Sequence, residues 1–431
     1  MSSLRVVGTC ETVRAGREKG PTETRTESVI HGVLGWVAVL MVILAIATLA
    51  LWLSAGDATG SSVDDARLKR HRESAQWNDQ KGRFSNRLKR VDGSFLEMGG
   101  KFFFGGSKHR KAKLEASPLV HDVEALEGHP ESGLRITWLG HSSFLVAIDG
   151  VRTLVDPVFG ERASPFTWAG PKRFYPPPYA LEELGAIDAI VISHDHYDHL
   201  DREAVALLKP TKIPWVVPLG VGAHLEGWGI DPERITELDW WDELRLKEVT
   251  LTATPSRHFS GRAMTDQNAT LWAGWAWSGP TRRLFYSGDT AMHPGFEEIG
   301  ARLGPFDLTL METGAYNQLW CDVHLGPEQA ALAHRLVKGQ VMMPAHWGTF
   351  DLALHGWTEP AERVVVAAEA LGVKLAMIRP GATYDVASPP GVDRWWPEVP
   401  WERAQASPAW STSVDELLRP LRDAAAENRS P

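Results

Sequence analysis

The motif ISHDHYDHL at residues 192–200 constrains the fold of this 431-residue chain more than any other feature. Within six positions it contains four candidate ligands: His194, His196, Asp198 and His199. Imidazole nitrogens and carboxylate oxygens are suitable ligands for zinc and similar divalent metals. Because residues two apart on an extended loop can face the same way, His194 and His196 can hold one ion. Asp198 and His199, just beyond, can reach a second ion, so other segments must complete two sites.

The composition excludes several other classes of protein. Hydrophobic residues make up 43% and charged residues 23% of the chain, which is typical of a folded globular protein. The two cysteines, Cys10 and Cys321, exclude a disulfide scaffold and a cysteine-built zinc finger. The 16 histidines are the residues that require an explanation, because histidine is a leading metal ligand and acid–base group.

Short apolar segments alternate with amphipathic ones from about residue 134 onwards, which predicts an α/β fold of sheets covered by helices. The predicted strands are Leu134–Leu139, Phe144–Ile148, Thr153–Val155, Ala189–Ile192, Thr250–Thr254, Leu271–Trp277, Leu284–Tyr286, Leu308–Met311 and Val341–Met343. The predicted helices are Arg202–Leu208, Phe296–Leu303, Pro327–Val337, Pro360–Leu371 and Val414–Ala425. The tryptophans of the Leu271–Trp277 segment are expected to fill the core.

Three further candidate ligands each follow a predicted strand and lie in a small or polar turn. His258 lies in TPSRHFSGR, Asp289 in FYSGDTA and His346 in MMPAHWGTF. Taken singly, each fits a turn or capping residue better than a ligand. Taken together and in this order, they indicate a metal centre built from the ends of several strands.

The HDHYDH motif followed by these three residues resembles the metallo-β-lactamase superfamily over about residues 134–386. The resemblance implies an αβ/βα sandwich with a binuclear site along one edge of the sheets. It also implies two sets of ligands for two Zn²⁺ ions: His194, His196 and His258 for one, and Asp198, His199 and His346 for the other, with Asp289 bridging both.

Five segments resemble one branch of that superfamily, the N-acylphosphatidylethanolamine-hydrolysing phospholipases D. They are WLGHSSFLV at 138–146, ERASPFTWAGPKRFYPPP at 161–178, ISHDHYDHLD at 192–201, ETGAYNQLW at 312–320 and HLGPEQA at 324–330. The resemblance implies hydrolysis of N-acylphosphatidylethanolamine to phosphatidic acid and an N-acylethanolamine, and a phospholipid as the substrate partner. The first 130 residues or so do not share it.

Catalytic and substrate-binding residues are assigned on the same resemblance. Asp289 and His324 are the candidate catalytic residues, and His324 would orient the phosphate or protonate the leaving alkoxide. A structural role for this histidine, next to a predicted helix, is the alternative. The candidate lining residues of the substrate pocket are Tyr316, Trp320, Phe166, Trp168 and Phe174, and core packing is the alternative for the first two.

An uncharged apolar run at 33–53 is long enough to cross a bilayer as a helix, which takes about 20 residues. We therefore expect a single-pass membrane anchor, with a cleaved signal peptide or a buried helix as alternatives. Residues 67–113 carry 14 Lys/Arg against 4 Asp/Glu, which fits either attraction to an anionic membrane surface or a solvated linker. This positive flank favours a cytoplasmic catalytic domain, although the charges nearest the run are balanced.

The predicted organisation and function follow from these segments. The domains are an N-terminal tail (1–32), a transmembrane anchor (33–53), a basic juxtamembrane linker and lead-in (54–133), a catalytic domain (134–386) and a C-terminal tail (387–431). The leading hypothesis is a membrane-anchored, zinc-dependent phosphodiesterase acting on N-acylphosphatidylethanolamine. The alternative is a hydrolase of the same fold acting on a soluble lactone or cyclic phosphodiester. Residues 114–431 carry 26 Lys/Arg against 43 Asp/Glu, so a nucleic-acid partner is not expected. The sequence makes no prediction of the oligomeric state.

Overall fold

The computed structural model describes residues 21–421 except 92, 95, 96, 98, 99, 102–104, 129, 264 and 420. Residues 21–30, 32, 33, 51–53 and 57 are described without their side chains. The described chain falls into two compact units that divide between Gly56 and Asp57. The last part of the predicted C-terminal helix, at 420 and 422–425, lies outside the described residues.

Sixteen strands occur in the described part of the chain. In chain order they are β1 (Trp77–Asn78), β2 (Arg83–Phe84), β3 (Leu134–Gly140), β4 (Ser143–Ile148), β5 (Val151–Val155), β6 (Ala189–Val191), β7 (Trp215–Pro218), β8 (Ile235–Leu238), β9 (Glu243–Leu246), β10 (Val249–Thr254), β11 (Gly274–Ser278), β12 (Arg283–Tyr286), β13 (Phe306–Glu312), β14 (Gly339–Ala345), β15 (Lys374–Leu375) and β16 (Thr383–Asp385). All nine predicted strands correspond to observed ones, with shifted ends.

Residues 97, 100, 101, 415–419 and 421 are helical, and seven further α-helices have bounds within the described residues. They are α1 (Pro21–Ala55), α2 (Asp65–Glu73), α3 (Arg202–Leu208), α4 (Val221–Gly227), α5 (Gly295–Arg302), α6 (Pro327–Leu336) and α7 (Glu359–Leu371). Pro327 begins α6, where its missing N–H costs no hydrogen bond, and Gly372 ends α7 in the left-handed conformation.

Two seven-stranded sheets form the centre of the fold. The first has the order β16-β3-β4-β5-β6-β7-β8 and the second the order β15-β14-β13-β12-β11-β10-β9. In both sheets the β-meander strands pair antiparallel, and the strands that alternate with helices pair parallel, as in β5-β6-β7-β8 and β12-β13-β14-β15. This repetition of one pattern in two sheets gives the mixed α/β sandwich that the sequence predicts.

Successive side chains of a strand point to opposite faces of the sheet, so each sheet has two faces with different contacts. In the first sheet, Val146 and Val191 point into a core shared with the second sheet. Their neighbours Leu145 and Ile190 point to the opposite face, in a separate cluster with apolar residues of α3 and α4. In the second sheet, α6 packs on β13 and β14, and α7 packs on α6. The layers are therefore helix, sheet, sheet, helix.

The predicted strand Leu271–Trp277 is wrong at its start, because the ladder of β11 begins only at Gly274. Leu271 N–H donates to Leu219 O at 2.8 Å, and Ala273 N–H donates to Ser193 O at 2.9 Å. These acceptors belong to loops that follow strands of the first sheet. Residues 271–273 therefore connect the two sheets instead of extending β11. Trp275 and Trp277 are fully buried in the shared core, as expected.

The segment before the catalytic fold, residues 57–91, packs on that fold through specific contacts. Arg67 of α2 forms ion pairs with Glu226 and, at 3.1 Å, with Glu237. His71 is fully buried between the rings of Trp77 and Phe84. The charges of the predicted basic linker are thus partly engaged in contacts within the catalytic unit.

None of the helices in the described part of the chain is long and apolar enough to cross a membrane. Residues 33 and 51–53 of the predicted anchor lie outside the described side chains. The prediction of a single-pass membrane protein, with its catalytic domain assigned to one side of the membrane, is therefore wrong.

Candidate metal centre

Polar side chains from both sheets meet at one edge of the sandwich, where the strands end at their carboxyl termini. Each follows or ends a strand: His141 (β3), Asp156 (β5), His194 (β6), His258 (β10), Asp289 (β12), Glu312 (β13) and His346 (β14). Residues in the loops at this edge do not pair with a neighbouring strand. Their side chains can therefore point towards a common centre. The fold therefore assembles the predicted ligands from segments far apart in the sequence.

Three overlapping groups of side chains each place their ligand atoms within 4.8 Å of one another, and the third, Asp289, Glu312, His324 and His346, shares Asp289 with the first and His346 with the second. The first group is His194, His196, His258 and Asp289, and the second is His141, Asp198, His199 and His346. The seven predicted ligands all lie in these groups. They divide between the groups as the resemblance implies, with His141 as an additional member.

Asp289 lies between the two groups. Its Oδ2 atom is 3.8 Å from Nε2 of both His194 and His258 in the first group. The same atom is 3.2 Å from Nε2 of His199 and 3.0 Å from Nε2 of His346 in the second group. One carboxylate oxygen thus faces four imidazole nitrogens, which is the placement required of a bridging ligand.

His196 and Asp198 each occupy the centre of one group. Nδ1 of His196 lies 2.9 Å from Nε2 of His194 and 3.2 Å from Nε2 of His258. Oδ2 of Asp198 lies 3.2 Å from Nε2 of His346 and 3.6 Å from Nε2 of His199. The two side chains project from one loop into two adjacent sites, as the spacing of the motif predicts.

His141, which is not among the predicted ligands, belongs to the second group. Its Nε2 is 3.0 Å from Oδ2 of Asp198, and its ring centroid is 4.1 Å from that of His346. Both histidines have positive φ, at 53° and 62°, a conformation that is costly for residues other than glycine. Backbone strain at this edge therefore accompanies the convergence of the rings.

Hydrogen bonds behind the rings decide which nitrogen faces the centre. Nδ1 of His258 donates to the carbonyl oxygen of Val323 at 2.9 Å, which leaves the Nε2 lone pair free. Nδ1 of His199 donates to Oδ2 of Asp156 at 2.8 Å with the same result. Such partners fix the orientation of a metal-binding imidazole and raise its basicity.

Asp156 is a fully buried acceptor for several of these groups. Its Oδ2 accepts from Ser193 Oγ at 2.6 Å and Tyr286 OH at 2.7 Å, in addition to His199. Its Oδ1 accepts from the backbone N–H of Ser193 at 2.7 Å. Ser193 directly precedes the metal motif, so this carboxylate holds both the start of the motif and one of its rings.

The centre brings ionisable groups together in a buried place, where water cannot stabilise their charges. Burial raises the pKa of Asp289, but the charges of His199 and His346 outweigh burial and hold it well below its usual range. Burial lowers the pKa of His199, but Asp289 and Asp198 raise it well above its usual range. Nε2 of His199 and Oδ1 of Asp289 are buried and have no hydrogen-bond partner. Such atoms are costly unless a cation pairs with them, so this donor set fits divalent metals.

His324, the predicted substrate-side residue, lies beside the centre and is slightly exposed. Its Nδ1 is 3.8 Å from Oδ2 of Asp289 and contacts Oε1 of Glu312 closely. Glu312 is fully buried, and its Oε2 accepts from Thr290 N–H at 2.6 Å. Burial, followed by the charge of Asp289, raises the pKa of Glu312 well above its usual range. Burial lowers the pKa of His324 to about 4.

Tyr316 and Trp320 are placed at the flank of the centre. The Tyr316 hydroxyl donates to Oε1 of Glu359 in α7 at 2.8 Å, and its ring is buried. Trp320 is half-buried, and its Nε1 donates to Ala315 O at 2.6 Å. Tyr316 also lines a cavity of about 500 Å³. Neither residue belongs to the two ligand groups.

The three aromatic residues of the loop at 161–178 differ in exposure. Trp168 is 61% exposed and lies 5.4 Å from the ring of Phe166, centroid to centroid. Phe174 packs against the core, with an edge-on contact to Trp357. Its backbone N–H donates to Thr349 O at 2.8 Å, and the Thr349 hydroxyl accepts from His141 N–H at 2.7 Å. The loop is therefore anchored next to the metal centre.

Sequence reasoning missed three side chains of the centre: Asp156, Glu312 and the ligand-like role of His141. Asp156 follows the predicted strand Thr153–Val155, so the rule that identified Asp289 could have found it. Glu312 begins the ETGAY segment, which was used only as a marker of resemblance. Its pairing with His324 depends on a turn that brings residues 12 apart face to face.

Comparisons with known proteins find similar sequences and similar structures for this chain. Residues 151–347 match the model of the beta-lactamase superfamily domain. An uncharacterised protein of Mycobacterium tuberculosis is 48% identical over 285 residues, which cover 65% of this chain and 75% of that protein. N-acyl-phosphatidylethanolamine-hydrolyzing phospholipase D 1 of Caenorhabditis elegans is 40% identical over 268 residues, which cover 59% of this chain and 75% of that protein. Igni18, a metallo hydrolase from Ignicoccus hospitalis, matches with a TM-score of 0.46 at 22% identity, covering 58% of this chain and 98% of its own.

Proposed function

The chain belongs to the metallo-β-lactamase superfamily, and from this membership we propose that it is a zinc-dependent phosphodiesterase that hydrolyses N-acylphosphatidylethanolamine to phosphatidic acid and an N-acylethanolamine. The observation that carries the proposal is the 40% identity to the worm phospholipase D over 268 residues, combined with a convergent set of seven ligands. The coarser statement, that the chain has the fold of metal-dependent hydrolases, stands on the family match itself.

Two zinc ions would be held by the residues of the two groups. The first would take His194, His196 and His258, and the second Asp198, His199 and His346, with Asp289 shared. Bound there, the pair would lower the pKa of a water molecule and neutralise charge on phosphate oxygens. The hydrogen bonds to Val323 and Asp156 would keep the Nε2 atoms of His258 and His199 directed at the two ions.

His324 would supply the proton that the leaving alkoxide needs. A protonated Glu312 carboxyl donates to Nδ1 of a neutral His324, so the imidazole carries its own proton on Nε2. That atom would then protonate the N-acylethanolamine oxygen as the phosphorus–oxygen bond breaks, while the proton of Glu312 moves to Nδ1, so that the imidazole stays neutral and Glu312 becomes a carboxylate. Because Glu312 is buried and bonded to Thr290, it would also hold the ring in one orientation.

The half-buried Phe166 and the exposed Trp168 would contact the acyl chains of the phospholipid. Both side chains lie on a loop that is anchored through Thr349 to the turn holding His141. Trp168 offers a large apolar surface at low entropic cost, which suits an aggregated lipid substrate.

Product analysis with two phospholipids tests the proposal. The purified chain is incubated with N-acylphosphatidylethanolamine or phosphatidylcholine, with zinc or with a chelator, and products are identified by mass spectrometry. We expect N-acylethanolamine and phosphatidic acid only from the first lipid and only with zinc. Zinc-loaded protein that cleaves a lactone or cyclic phosphodiester but releases no N-acylethanolamine would overturn the assignment.

A further inference from the structure

The candidate ligand His258 lies in a loop that follows β10, outside the pairing of β10 with β9 and β11. Its backbone N–H and C=O therefore need partners from elsewhere, because unpaired backbone groups are costly. Both partners come from one side chain, that of Asn86. The carboxamide oxygen of Asn86 accepts from His258 N–H at 3.1 Å, and its Nδ2 donates to His258 O at 2.7 Å.

Neighbouring contacts keep this arrangement in register. The carbonyl oxygen of Lys89 accepts from Nη2 of Arg257 at 2.9 Å. The Arg90 guanidinium lies 5.0 Å above the ring of Phe259. Three successive residues of the loop, at 257–259, are thus contacted by the segment 86–90, which lies about 170 residues earlier in the chain.

The imidazole of His258 is fixed from the opposite side. Its Nδ1 donates to Val323 O, so rotation of the ring is restricted, while the Asn86 carboxamide restricts the backbone. Together these contacts direct Nε2 towards Nδ1 of His196 at 3.2 Å and towards Asp289. Displacement of the backbone by a fraction of an ångström would change the distance from this nitrogen to a shared cation.

We propose that Asn86 is a positioning residue of the metal centre, which acts by fixing the backbone of His258. The inference rests on the proposed function, because it assumes that His258 binds a metal ion. It also assigns a role to the lead-in segment, which sequence analysis treated as a linker. The site is then built by the catalytic fold and by the segment that precedes it.

Metal binding by full-length variants tests this role. Asn86→Ala removes both hydrogen bonds, whereas Asn86→Asp keeps an oxygen that can accept from His258 N–H. Arg87→Ala is the matched control, because it removes an exposed ion pair with Glu298 from the adjacent position. We measure zinc dissociation constants by competition with a chromophoric chelator, and the visible spectrum of the Co²⁺-substituted protein.

We expect Asn86→Ala to weaken the binding of one of the two zinc ions about tenfold or more and to change the Co²⁺ spectrum. The affinity of Asn86→Asp should be intermediate. Arg87→Ala should match the wild type. A lower melting temperature of metal-free Asn86→Ala with unchanged zinc affinity would overturn the inference, because it would show a purely structural role. Wild-type protein that binds no metal would overturn the proposed function and the inference together, so the two failures are distinguishable.

Discussion

His324 and Glu312 lie in close contact, and the hydrogen bond between them depends on which of the two carries a proton. Burial keeps His324 neutral, with a pKa of about 4, and burial with the nearby Asp289 raises the pKa of Glu312. A neutral acid facing Nδ1 leaves the proton of the ring on Nε2. In this state Nε2 can give its proton to a leaving alkoxide while Nδ1 takes the proton of Glu312, which leaves the imidazole neutral.

Substitutions at this pair separate hydrogen bonding from proton transfer. We expect His324→Ala to lower kcat about 100-fold, the low end for loss of a general acid, while zinc content is unchanged. Glu312→Gln keeps a hydrogen bond to Nδ1 but cannot pass a proton to it, so it should lower kcat nearly as much as His324→Ala, and Glu312→Leu, which also loses the hydrogen bond, at least as much. Steady-state release of N-acylethanolamine measures these effects. Full turnover by His324→Ala would show that the residue is structural.

Asp156 acts on the metal centre without belonging to either ligand group. Its carboxylate accepts from His199, Ser193 and Tyr286, so it supports the ring of one ligand and the backbone before the motif. We expect Asp156→Asn to weaken zinc binding about 10- to 100-fold, because the amide group turns one acceptor into a donor. Isothermal titration of metal-free protein with zinc checks this. Tyr286→Phe removes a single donor and should cost less; equal affinities for Asp156→Asn and wild type would contradict the argument.

At the scale of elements, α2 packs on the β1–β2 hairpin through a buried histidine. His71 has neither ring nitrogen hydrogen-bonded, and its ring lies 4.9 Å from that of Phe84. Burial, followed by the charges of Arg70 and Arg67, lowers its pKa to about 4. The folded protein therefore contains neutral His71 over a pH range in which an unfolded chain protonates it.

The stability of the protein should depend on pH through this residue. Because the pKa of His71 is lower folded than unfolded, the free energy of unfolding falls as pH drops from about 6.5 towards 4. His71→Phe removes the titration, so its loss of stability between pH 7 and pH 5 should be smaller than that of wild type. Urea unfolding at the two pH values measures the difference. An identical loss in both proteins would show that His71 does not stay neutral.

The loop at 161–178 makes a separate prediction about how lipid reaches the centre. Trp168→Ser should raise KM for N-acylphosphatidylethanolamine in vesicles several-fold and leave kcat unchanged, because in the proposal the residue would contact acyl chains and not the reacting phosphate. Hydrolysis of a water-soluble phosphodiester should be unaffected. Leu207→Ser removes another solvent-facing apolar side chain, 47% exposed, from α3 and is the control. Equal KM values for Trp168→Ser and wild type would contradict a role in lipid contact.

For the whole molecule, the sandwich and the convergence of the predicted ligands could be anticipated, because both depend on local patterns. His258, Asp289 and His346 each follow an apolar segment, and strand ends meet at one edge of a sheet. Asn86 has no such pattern: its contact with His258 joins residues 172 apart, and only the folded chain reveals it. The segment around Asn86 was interpreted as a basic linker from its charge composition. Composition cannot show that Arg67 of this segment pairs with Glu237.

The prediction of a membrane anchor failed for a related reason. The apolar run at 33–53 was judged by its length and by the absence of charge in the sequence. The described helices contain none that is long and apolar enough to cross a membrane. A pattern in one segment is weaker support for an assignment than several segments that must agree, as they do at the metal centre.

Zinc content and turnover of Asp289→Asn, measured on the same preparations, test the central claim most directly. Asp289 is the one predicted ligand whose oxygen faces imidazoles of both groups. The account predicts two zinc ions per wild-type chain, and loss of bound zinc and of N-acylethanolamine release together in the variant. Two zinc ions and full turnover in Asp289→Asn would contradict it, because the two groups would not then form one centre through this carboxylate.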